Sequence, residues 1–240
     1  MKKIFKKVAI IPCYNVRNNI INVVKNSLKI FDLIICIDDK CPQNSGSLIL
    51  NKFKSNKKIK VFFNKKNLGV GGAVKVGYNF CNKISSKYIV KIDGDGQMDP
   101  MEAKKFFLLI KNENCDYVKG NRFLDKNYYK NSPKIRFFGN LILNYITKIS
   151  SGNFSISDPL NGYTCIKADF LKKINLNNIS NDFFFETSML IVLSRMKAKI
   201  LDLKVNIKYA GEISNFFLHK ELLKFVIYHL YYYFKKFFIK

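Results

Sequence analysis

The chain has 240 residues, and its 42 Lys and Arg against 17 Asp and Glu give a net charge of +25. Apolar residues make up 48% of the sequence, which excludes a chain that is disordered throughout. No apolar run reaches the roughly 18 residues of a transmembrane helix, and the basic start MKKIFKKVAI lacks the apolar core of a signal peptide. We therefore expect a cytoplasmic protein.

The positive charge is scattered along the whole chain. A nucleic-acid footprint is instead clustered and includes side chains that read or stack on bases. We therefore expect no nucleic-acid partner, with a basic nucleic-acid-binding module kept as an alternative. An anionic small molecule or an anionic membrane surface is compatible with the charge.

Strand-like runs alternate with helical patterns from the start of the chain. The predicted strands are residues 7–12, 33–37, 59–63, 88–92 and 116–120. The predicted helices are residues 18–30 and 45–53, a helix that opens at the turn NLGVGG and runs through residue 81, and residues 100–110. This alternation with short turns predicts an α/β fold with a mostly parallel sheet and helices on both faces.

The second half of the chain is less regular. The patterns predict helices over residues 133–150 and 182–196, an added strand over 161–167, a strand over 199–207, and a terminal helix from about 219. No Pro- or Ser-rich linker marks a boundary. We expect one α/β domain over residues 1–210, followed by a connector and a C-terminal basic aromatic helix over residues 211–240.

The C-terminal segment HKELLKFVIYHLYYYFKKFFIK is too short and too basic to span a bilayer comfortably. Its aromatic and apolar residues, interleaved with lysines, are typical of an amphipathic helix that lies on an anionic membrane surface. A helix packed on the core, or against a second copy of the chain, is the alternative.

Polar residues follow five of the predicted elements. Sheets of this kind bind ligands beyond the carboxyl ends of their strands. The turns at those ends are Pro12-Cys13-Tyr14-Asn15, Asp38-Asp39, Asn67 to Gly72, Asp93 to Gln97, and Gly120 to Arg122. We therefore expect the five turns to meet at one crevice.

Asp93 and Asp95 lie one residue apart, with glycine between and after them. Two such carboxylates repel each other unless a cation neutralises them. Their hard oxygen ligands suit Mg²⁺ or Mn²⁺, and Gln97 could add a carbonyl oxygen. A polar turn without a metal is the alternative.

Asp38 or Asp39 could accept a hydrogen bond from a nucleobase or a ribose hydroxyl, unless it serves as a turn or helix-capping acid. The glycine-rich turn, which includes Asn67, Gly69 and Gly71, offers backbone N–H groups to a phosphate at a helix start.

Arginine is scarce in this sequence, and its planar fork binds phosphate oxygens in pairs. Arg122 and Arg136 are therefore candidates for phosphate binding. Ordinary surface arginines are the alternative.

These motifs resemble inverting family-two glycosyltransferases of the GT-A fold, in the branch of dolichyl-phosphate mannose synthase and bacterial polyprenyl-phosphate glycosyltransferases. The matching segments run in the family's order over residues 8–210: IIPCYN, IDDKCP, NLGVGGAVKVGY, KIDGDGQMDP, VKGNRF, DPLNGYTCIKADFL and FFFETSMLIVL. The resemblance implies a metal-dependent enzyme on the cytoplasmic face of a membrane. It would move a sugar from a nucleoside diphosphate sugar to a polyprenyl phosphate.

The resemblance also implies roles for single residues. Pro12, Tyr14 and Asp38 or Asp39 would line the base and ribose, with Asn67, Gly69 and Gly71 also on the nucleotide-sugar. Asp93, Asp95 and Gln97 would hold Mg²⁺ or Mn²⁺, and Arg122 and Arg136 would bind the diphosphate. Asp158 and Glu186 match acidic positions near the acceptor.

The sequence departs from the family pattern at three places. Asn15-Val16 replaces the usual Asn-Glu, Asp38-Asp39-Lys40-Cys41 replaces Asp-Asp-Gly-Ser, and residues 209–214 contain no arginine. The last departure removes arginines that would contact the acceptor phosphate, so it affects the identity of the acceptor.

A lipid phosphate is largely ionised near neutral pH and needs no base, whereas a sugar hydroxyl in polysaccharide or glycolipid synthesis needs Asp158 or Glu186 as proton acceptor. A nucleotidyltransferase and a nucleotide-binding pseudoenzyme are further alternatives.

Overall fold

The structure, a computed structural model, describes residues 4–126, 128, 134–206 and 218–238. Seven strands in this part of the chain form one sheet in the order β3-β2-β1-β4-β6-β5-β7. They are β1 (Ile4–Cys13), β2 (Leu33–Asp38), β3 (Ile59–Phe63), β4 (Ser85–Lys91), β5 (Tyr117–Asn121), β6 (Thr164–Lys167) and β7 (Ile200–Lys204).

The sheet is parallel except at β6. This strand is antiparallel to β4 on one side and to β5 on the other, while β5 pairs in parallel with β7. Consequently the segment that leads into β6 lies at the same edge as the carboxyl ends of β4 and β5. That insertion brings a second set of polar residues to the edge where ligands bind.

Eight α-helices connect or flank the strands in the described residues. They are α1 (Arg17–Ser27), α2 (Ser45–Lys52), α3 (Gly69–Lys83), α4 (Ala103–Asn112), α5 (Lys134–Ser151), α6 (Ala168–Leu171), α7 (Phe185–Arg195) and α8 (Leu218–Phe238). Short 3₁₀ turns occupy Pro100–Glu102, Arg122–Leu124 and Leu176–Asn178.

Hydrophobic cores lie on both faces of the sheet, because side chains of a strand alternate between its faces. Ala9 and Ile11 of β1 pack with residues of α1 and α4, including Ile20 and Phe106. Their neighbours Val8 and Ile10 pack with residues of α3 and α7 on the opposite face. The predicted α/β fold with helices on both faces is confirmed.

Several predicted boundaries differ from the structure by a few residues, and for two of them the local reason is visible. The helix predicted from residue 182 begins at Phe185. Asp182 instead accepts hydrogen bonds from Ser180 Oγ at 2.6 Å and from the Phe184 backbone N–H at 2.9 Å, which forms a turn before the helix. The strand predicted from residue 161 begins at Thr164, because Asn161 Oδ1 accepts from the Tyr163 backbone N–H in a turn.

Helix α8 packs on the domain with one of its faces. Phe225 and Tyr232 are buried with Leu143 of α5 and Ile191 of α7. His229 Nδ1 lies 2.8 Å from Ser150 Oγ. This face of α8 therefore packs on the core, as the alternative to a membrane-bound helix predicts. The predicted boundary between residues 210 and 211 lies outside the described residues. Across the described ranges, no helix combines the length and apolar character that a bilayer span requires.

Candidate active site

The turn after β4 carries Asp93 and Asp95 and rests on the start of α1. Asn19 Nδ2 donates to the Asp95 backbone carbonyl at 2.6 Å. A Cβ on Gly94 would lie 3.1 Å from the Pro12 carbonyl oxygen. The turn after β4 is thus in contact with the end of β1 and the start of α1. Asp95 and Gln97 are half-buried, and Asp95 Oδ1 accepts from the Gln97 backbone N–H at 3.0 Å.

Lys91, the last residue of β4, forms a buried ion-pair cluster with two carboxylates. Its Nζ lies 2.7 Å from Asp93 Oδ1 and 2.7 Å from Glu186 Oε1. The lysine side chain is only 1% exposed, whereas that of Asp93 is 29% exposed. Burial alone lowers the pKa of Lys91, but the two carboxylates outweigh it and hold that pKa above its usual value. The ammonium is therefore a permanent charge of this site.

Glu186 lies in the first turn of α7, and burial raises its pKa although the neighbouring Lys91 opposes this. Gly162 completes the cluster from the segment before β6. A Cβ there would overlap Lys91 Nζ and lie 2.6 Å from Asp93 Oδ2. Only glycine leaves room for this contact.

A second buried pair stands at the end of β5. Both carboxylate oxygens of Asp158 accept from the guanidinium of Arg122, with Nε to Oδ2 at 2.8 Å. The Arg122 backbone N–H donates to Oδ2 at 2.8 Å as well. Burial alone raises the pKa of Asp158, but Arg122 outweighs this and lowers it below its usual value. Asp158 is thus an ionised partner of the arginine.

Asn161 joins the two clusters. Its Nδ2 donates to Asp158 Oδ2 at 3.2 Å, and a Cβ on Gly120 would lie 2.9 Å from its Oδ1. Asn161 precedes Gly162, which touches Lys91 and Asp93. The end of β4, the end of β5 and the segment before β6 therefore lie in contact with one another.

Asp38 and Asp39 at the end of β2 are bound by the chain itself. Asp38 accepts from the backbone N–H groups of Cys41 at 2.8 Å and Gly46 at 2.7 Å. Asp39 accepts from Asn64 Nδ2 at 2.7 Å and from the Leu68 backbone N–H at 2.9 Å. Both residues are almost fully buried. These contacts are those of acids that stabilise turns, which was the alternative to a nucleotide-binding role.

The glycine-rich turn is crossed by another part of the backbone. Gly69 has a positive φ of 80°, and a Cβ on Gly71 would overlap Ser180 O and lie 2.8 Å from Phe185 Cβ. The Gly72 backbone N–H donates to Asn181 O at 2.8 Å, and Asn67 Oδ1 accepts from the Gly69 backbone N–H at 2.8 Å. These contacts give the glycines a structural reason that is independent of phosphate.

Three other predicted site residues have simpler surroundings. Pro12 lies in β1 opposite Ile37, and Tyr14 directly follows the strand with 46% of its surface exposed. Arg136 is in the first turn of α5, and its side chain lies outside the described part of the molecule.

The donor set at the end of β4 fits a divalent cation that also binds phosphate. Mg²⁺ in such sites is held by one or two carboxylates together with substrate phosphate oxygens. Asp95 and Gln97 offer oxygens of this kind and are half-buried. Asp93 is 29% exposed, with Oδ1 bound to Lys91 and Oδ2 on the side of Gly162. Among the described residues, no group of three or more His, Cys, Asp or Glu is placed to hold a metal by itself.

Sequence reasoning missed Lys91 and Gly162. The signal for Lys91 was a single lysine within the apolar run YIVKI, two residues before Asp93 and so on the same side of the strand. Gly162 lay inside the quoted segment DPLNGYTCIKADFL, but nothing local indicates that it packs against Lys91.

Residues 8–175 match the protein family described as glycosyl transferase family 2. This match spans more than half of the chain. The chain belongs to glycosyl transferase family 2. The family resemblance read from the sequence motifs is therefore confirmed.

Three curated relatives are similar over most of their length. An uncharacterized protein of Methanocaldococcus jannaschii is 30% identical, with 90% of this chain and 94% of the relative covered. A UDP-N-acetylglucosamine--dolichyl-phosphate N-acetylglucosaminyltransferase of Methanococcus voltae is 27% identical, with 83% and 84% covered. An undecaprenyl-phosphate mannosyltransferase of Micrococcus luteus is 22% identical, with 82% and 81% covered.

Solved structures confirm the GT-A fold. Glucosyl-3-phosphoglycerate synthase from Mycobacterium tuberculosis, in complex with Mn²⁺, UDP and phosphoglyceric acid, matches with a TM-score of 0.67 at 13% identity. The match covers 94% of this chain and 77% of that one. TarS 1-349 of S. aureus matches with a TM-score of 0.54 at 18% identity, and this chain spans 59% of its length.

Proposed function

We propose that this glycosyltransferase is an inverting enzyme that moves a sugar from a nucleoside diphosphate sugar to a polyprenyl phosphate. The observation that carries the proposal is the joining of the Asp93–Asp95 turn and the Arg122–Asp158 pair at one sheet edge through Asn161 and Gly162. Two curated relatives are named for polyprenyl-phosphate acceptors, which supports the acceptor class.

The donor diphosphate would lie between the ends of β4 and β5. Asp95 and Gln97 would hold Mg²⁺ or Mn²⁺, which when bound offsets the negative charge that builds on the leaving diphosphate. The structural neighbour from M. tuberculosis binds Mn²⁺ and UDP, which supports a divalent ion here. Arg122, held rigid by Asp158, adds a fixed positive charge at the same edge, and Arg136 is proposed as a second arginine for the diphosphate.

Base and ribose would occupy the space beside Pro12 and Tyr14, next to the turn that carries Asp39. Because Asp38 and Asp39 already accept backbone hydrogen bonds, we propose that they shape this space and contact the nucleotide with remaining lone pairs. Asn67, Gly69 and Gly71 would place the start of α3 at the rim of the same space.

The two candidate proton acceptors are both engaged by cations. Both oxygens of Asp158 face Arg122, and Glu186 Oε1 faces Lys91. A hydroxyl acceptor needs a free base, whereas a phosphate monoester, with a second pKa of about 6, is already ionised near neutral pH. The geometry therefore favours a lipid phosphate as acceptor.

In the proposed step, an acceptor phosphate oxygen attacks the anomeric carbon from the face opposite the diphosphate. The new carbon–oxygen bond forms as the bond from that carbon to the diphosphate oxygen breaks. The nucleoside diphosphate leaves with the bonding electron pair, and the configuration at the carbon inverts. No proton has to move to a side chain in this step.

A radiolabelled panel of UDP-, GDP- and dTDP-sugars, each offered with polyprenyl phosphate or with a free sugar, tests the proposal. We expect one donor to give an organic-soluble lipid product, and EDTA to abolish its formation. Product on the free sugar only would favour the hydroxyl alternative. Donor binding without product from any acceptor would favour the pseudoenzyme alternative.

We further propose that α5 and α8 rest on an anionic membrane, which would place the enzyme on the cytoplasmic face beside its lipid acceptor. The two helices pack against each other, and each exposes a stripe of large apolar side chains at helical spacing. The exposed residues are Phe138, Leu141, Ile142, Tyr145 and Ile149 on α5, and Ile227, Leu230, Tyr231 and Phe234 on α8. A stripe of this kind beside exposed Lys224, in a chain of net charge +25, suits anionic headgroups.

Flotation of the full chain with phosphatidylcholine vesicles, with and without phosphatidylglycerol, tests this surface. We expect the Ile227→Ser, Leu230→Ser double variant to bind anionic vesicles several-fold more weakly than the wild type. Leu108→Ser, which replaces a similarly exposed residue on α4, is the matched control. Equal partitioning of all three proteins would contradict the proposal, and a shift from dimer to monomer in the double variant would indicate a second copy instead.

A further inference from the structure

Lys91 holds a position that the proposed function does not yet use. Its ammonium lies 2.7 Å from one oxygen of Asp93 and 2.7 Å from one oxygen of Glu186, with the lysine side chain 1% exposed. Resting on the proposed function, we propose that Lys91 is a positioning residue that fixes Asp93 to Glu186 and leaves Asp95 as the carboxylate that binds the divalent cation.

The burial of Lys91 limits it to an indirect role. A side chain that is 1% exposed has no surface for a donor or acceptor to contact. Gly162 closes the remaining space, because a Cβ there would overlap the lysine Nζ. Lys91 therefore acts only through the two carboxylates that it touches.

The charges around Lys91 explain why a lysine is needed there. Asp93 and Glu186 carry two negative charges in a largely buried space, and Asp95 adds a third two residues along the chain. Without the ammonium, Asp93 Oδ1 would lose its ion pair, and Asp93 could bind a divalent cation together with Asp95 in the absence of nucleotide. With it, Asp93 Oδ1 is bound to Lys91, and Oδ2 lies on the side of Gly162.

Lys119 on β5 provides an internal comparison. It is also 1% exposed, but its Nζ bonds to the Gly120 carbonyl at 3.1 Å, to the Ser157 carbonyl, and to Asp202 Oδ1 at 3.2 Å. None of these groups belongs to the turn after β4. Lys119 is therefore a matched control for Lys91, because it is equally buried but does not contact Asp93.

Titration of the full chain with Mn²⁺, followed by electron paramagnetic resonance without donor or acceptor, tests the proposal. In Lys91→Met, a positive charge a few ångströms from the ion is lost and Asp93 is released, so we expect Mn²⁺ to bind about tenfold more tightly or better. Lys119→Met should leave Mn²⁺ affinity unchanged, even if both variants unfold more easily. Unchanged affinity in Lys91→Met would overturn the proposal.

A second measurement keeps the wild-type lysine and so does not depend on whether Lys91→Met folds. If the ion pair with Lys91 keeps Asp93 from binding the cation, then Asp95→Asn should weaken Mn²⁺ binding at least tenfold more than Asp93→Asn. Equal losses, a larger loss in Asp93→Asn, or no Mn²⁺ binding by any of the proteins would overturn the proposal.

Because these readouts involve no sugar transfer, they separate this inference from the proposed function. Mn²⁺ results as expected, together with no transfer from any donor, would overturn the transferase proposal alone. Transfer activity with equal Mn²⁺ losses in the two aspartate variants would overturn the role of Lys91 alone.

Discussion

The ends of β2 and β4 look alike in sequence but differ in structure. Each follows an apolar strand with two acidic residues, Asp38-Asp39 in one and Asp93-Gly94-Asp95 in the other. Asp38 and Asp39 are almost fully buried and accept hydrogen bonds from their own chain. Asp93 and Asp95 are half-buried, and Asp93 is bound at one oxygen by Lys91.

This difference separates an acid that builds a site from an acid that can bind a ligand. A buried carboxylate that accepts backbone N–H groups fixes the loops around it and loses stability if it is removed. A half-buried carboxylate reaches solvent and can accept a new partner. The following predictions test whether stability and activity divide between the two strand ends in this way.

Asp95→Asn should have the largest effect, and it should fall on activity. Loss of a charged ligand that stabilises the leaving diphosphate is expected to reduce turnover by about 10²–10³-fold. The free energy of unfolding should change little, because Asp95 is half-buried. Steady-state kinetics and urea denaturation of the same protein measure both quantities. If Asp95→Asn lost stability as well as activity, the proposed difference between the acids of β4 and those of β2 would be contradicted.

Asp38→Ala should have the opposite signature. The Cys41 and Gly46 backbone N–H groups lose a buried acceptor, and each such orphaned donor costs about 1–3 kcal/mol. Urea denaturation should therefore show a clear drop in the free energy of unfolding. Asp169→Asn is the control, because the Asp169 side chain is 92% exposed and its ion pair with Lys172 lies on the surface. Equal stability of the two variants would contradict the structural role of Asp38.

Gly71→Ala tests whether the glycine-rich turn is shaped by the chain itself. Its Cβ would overlap Ser180 O, and overpacking of this kind costs about 1–3 kcal/mol of stability. Gly139→Ala on α5 is the matched control. Within the described part of the molecule, no atom beyond its chain neighbours and the local helix backbone lies within 4 Å of the added Cβ, and alanine favours a helix by up to about 1 kcal/mol. A Gly71→Ala protein with full stability and weakened donor binding would instead assign the glycine to phosphate contact.

The smallest expected effect concerns Asp158, which pairs with Arg122 at the end of β5, and it is a pH dependence of the free energy of unfolding. Arg122 lowers the pKa of the folded Asp158 carboxyl below its unfolded value. The stability gained from this pair is therefore present above the unfolded pKa of about 4 and is lost as the pH falls through the folded pKa. Between pH 5 and pH 2, the stability advantage of the wild type over Asp158→Asn should shrink. A pH-independent difference would show that Asp158 is not ionised in the folded protein.

Much of the fold could be predicted because its signals are local. Apolar runs, helical spacing and glycine or proline turns indicated β1 to β5 and α1 to α4, and the resulting alternation predicted the parallel sheet. The placement of β6 between β4 and β5 could not be read in the same way. Its antiparallel pairing depends on contacts with strands more than forty residues away.

The site was predictable in position but not in the division of roles. The strand ends pointed to the sheet edge at which the structure gathers these residues. Nothing in the sequence near Asp38 shows that Gly46 donates to it, and nothing near Lys91 shows that Glu186 completes its ion pair. The same limit applies to Asp158. The sequence offers it as a base in the case of a hydroxyl acceptor, but it does not show the arginine that binds both its oxygens. These pairs are tertiary contacts, so they depend on how the chain folds and cannot be read from the spacing of residues in the sequence.

The claim that the end of β4 holds the donor diphosphate is tested most directly by a crystal structure with Mn²⁺ and UDP. Anomalous scattering at the manganese edge locates the ion without reference to the surrounding density. We expect a manganese peak in contact with an Asp95 oxygen and a diphosphate oxygen, with Asp93 still bound to Lys91. A peak beside Asp38 and Asp39, or a bound nucleotide that touches neither Asp93 nor Asp95, would contradict it.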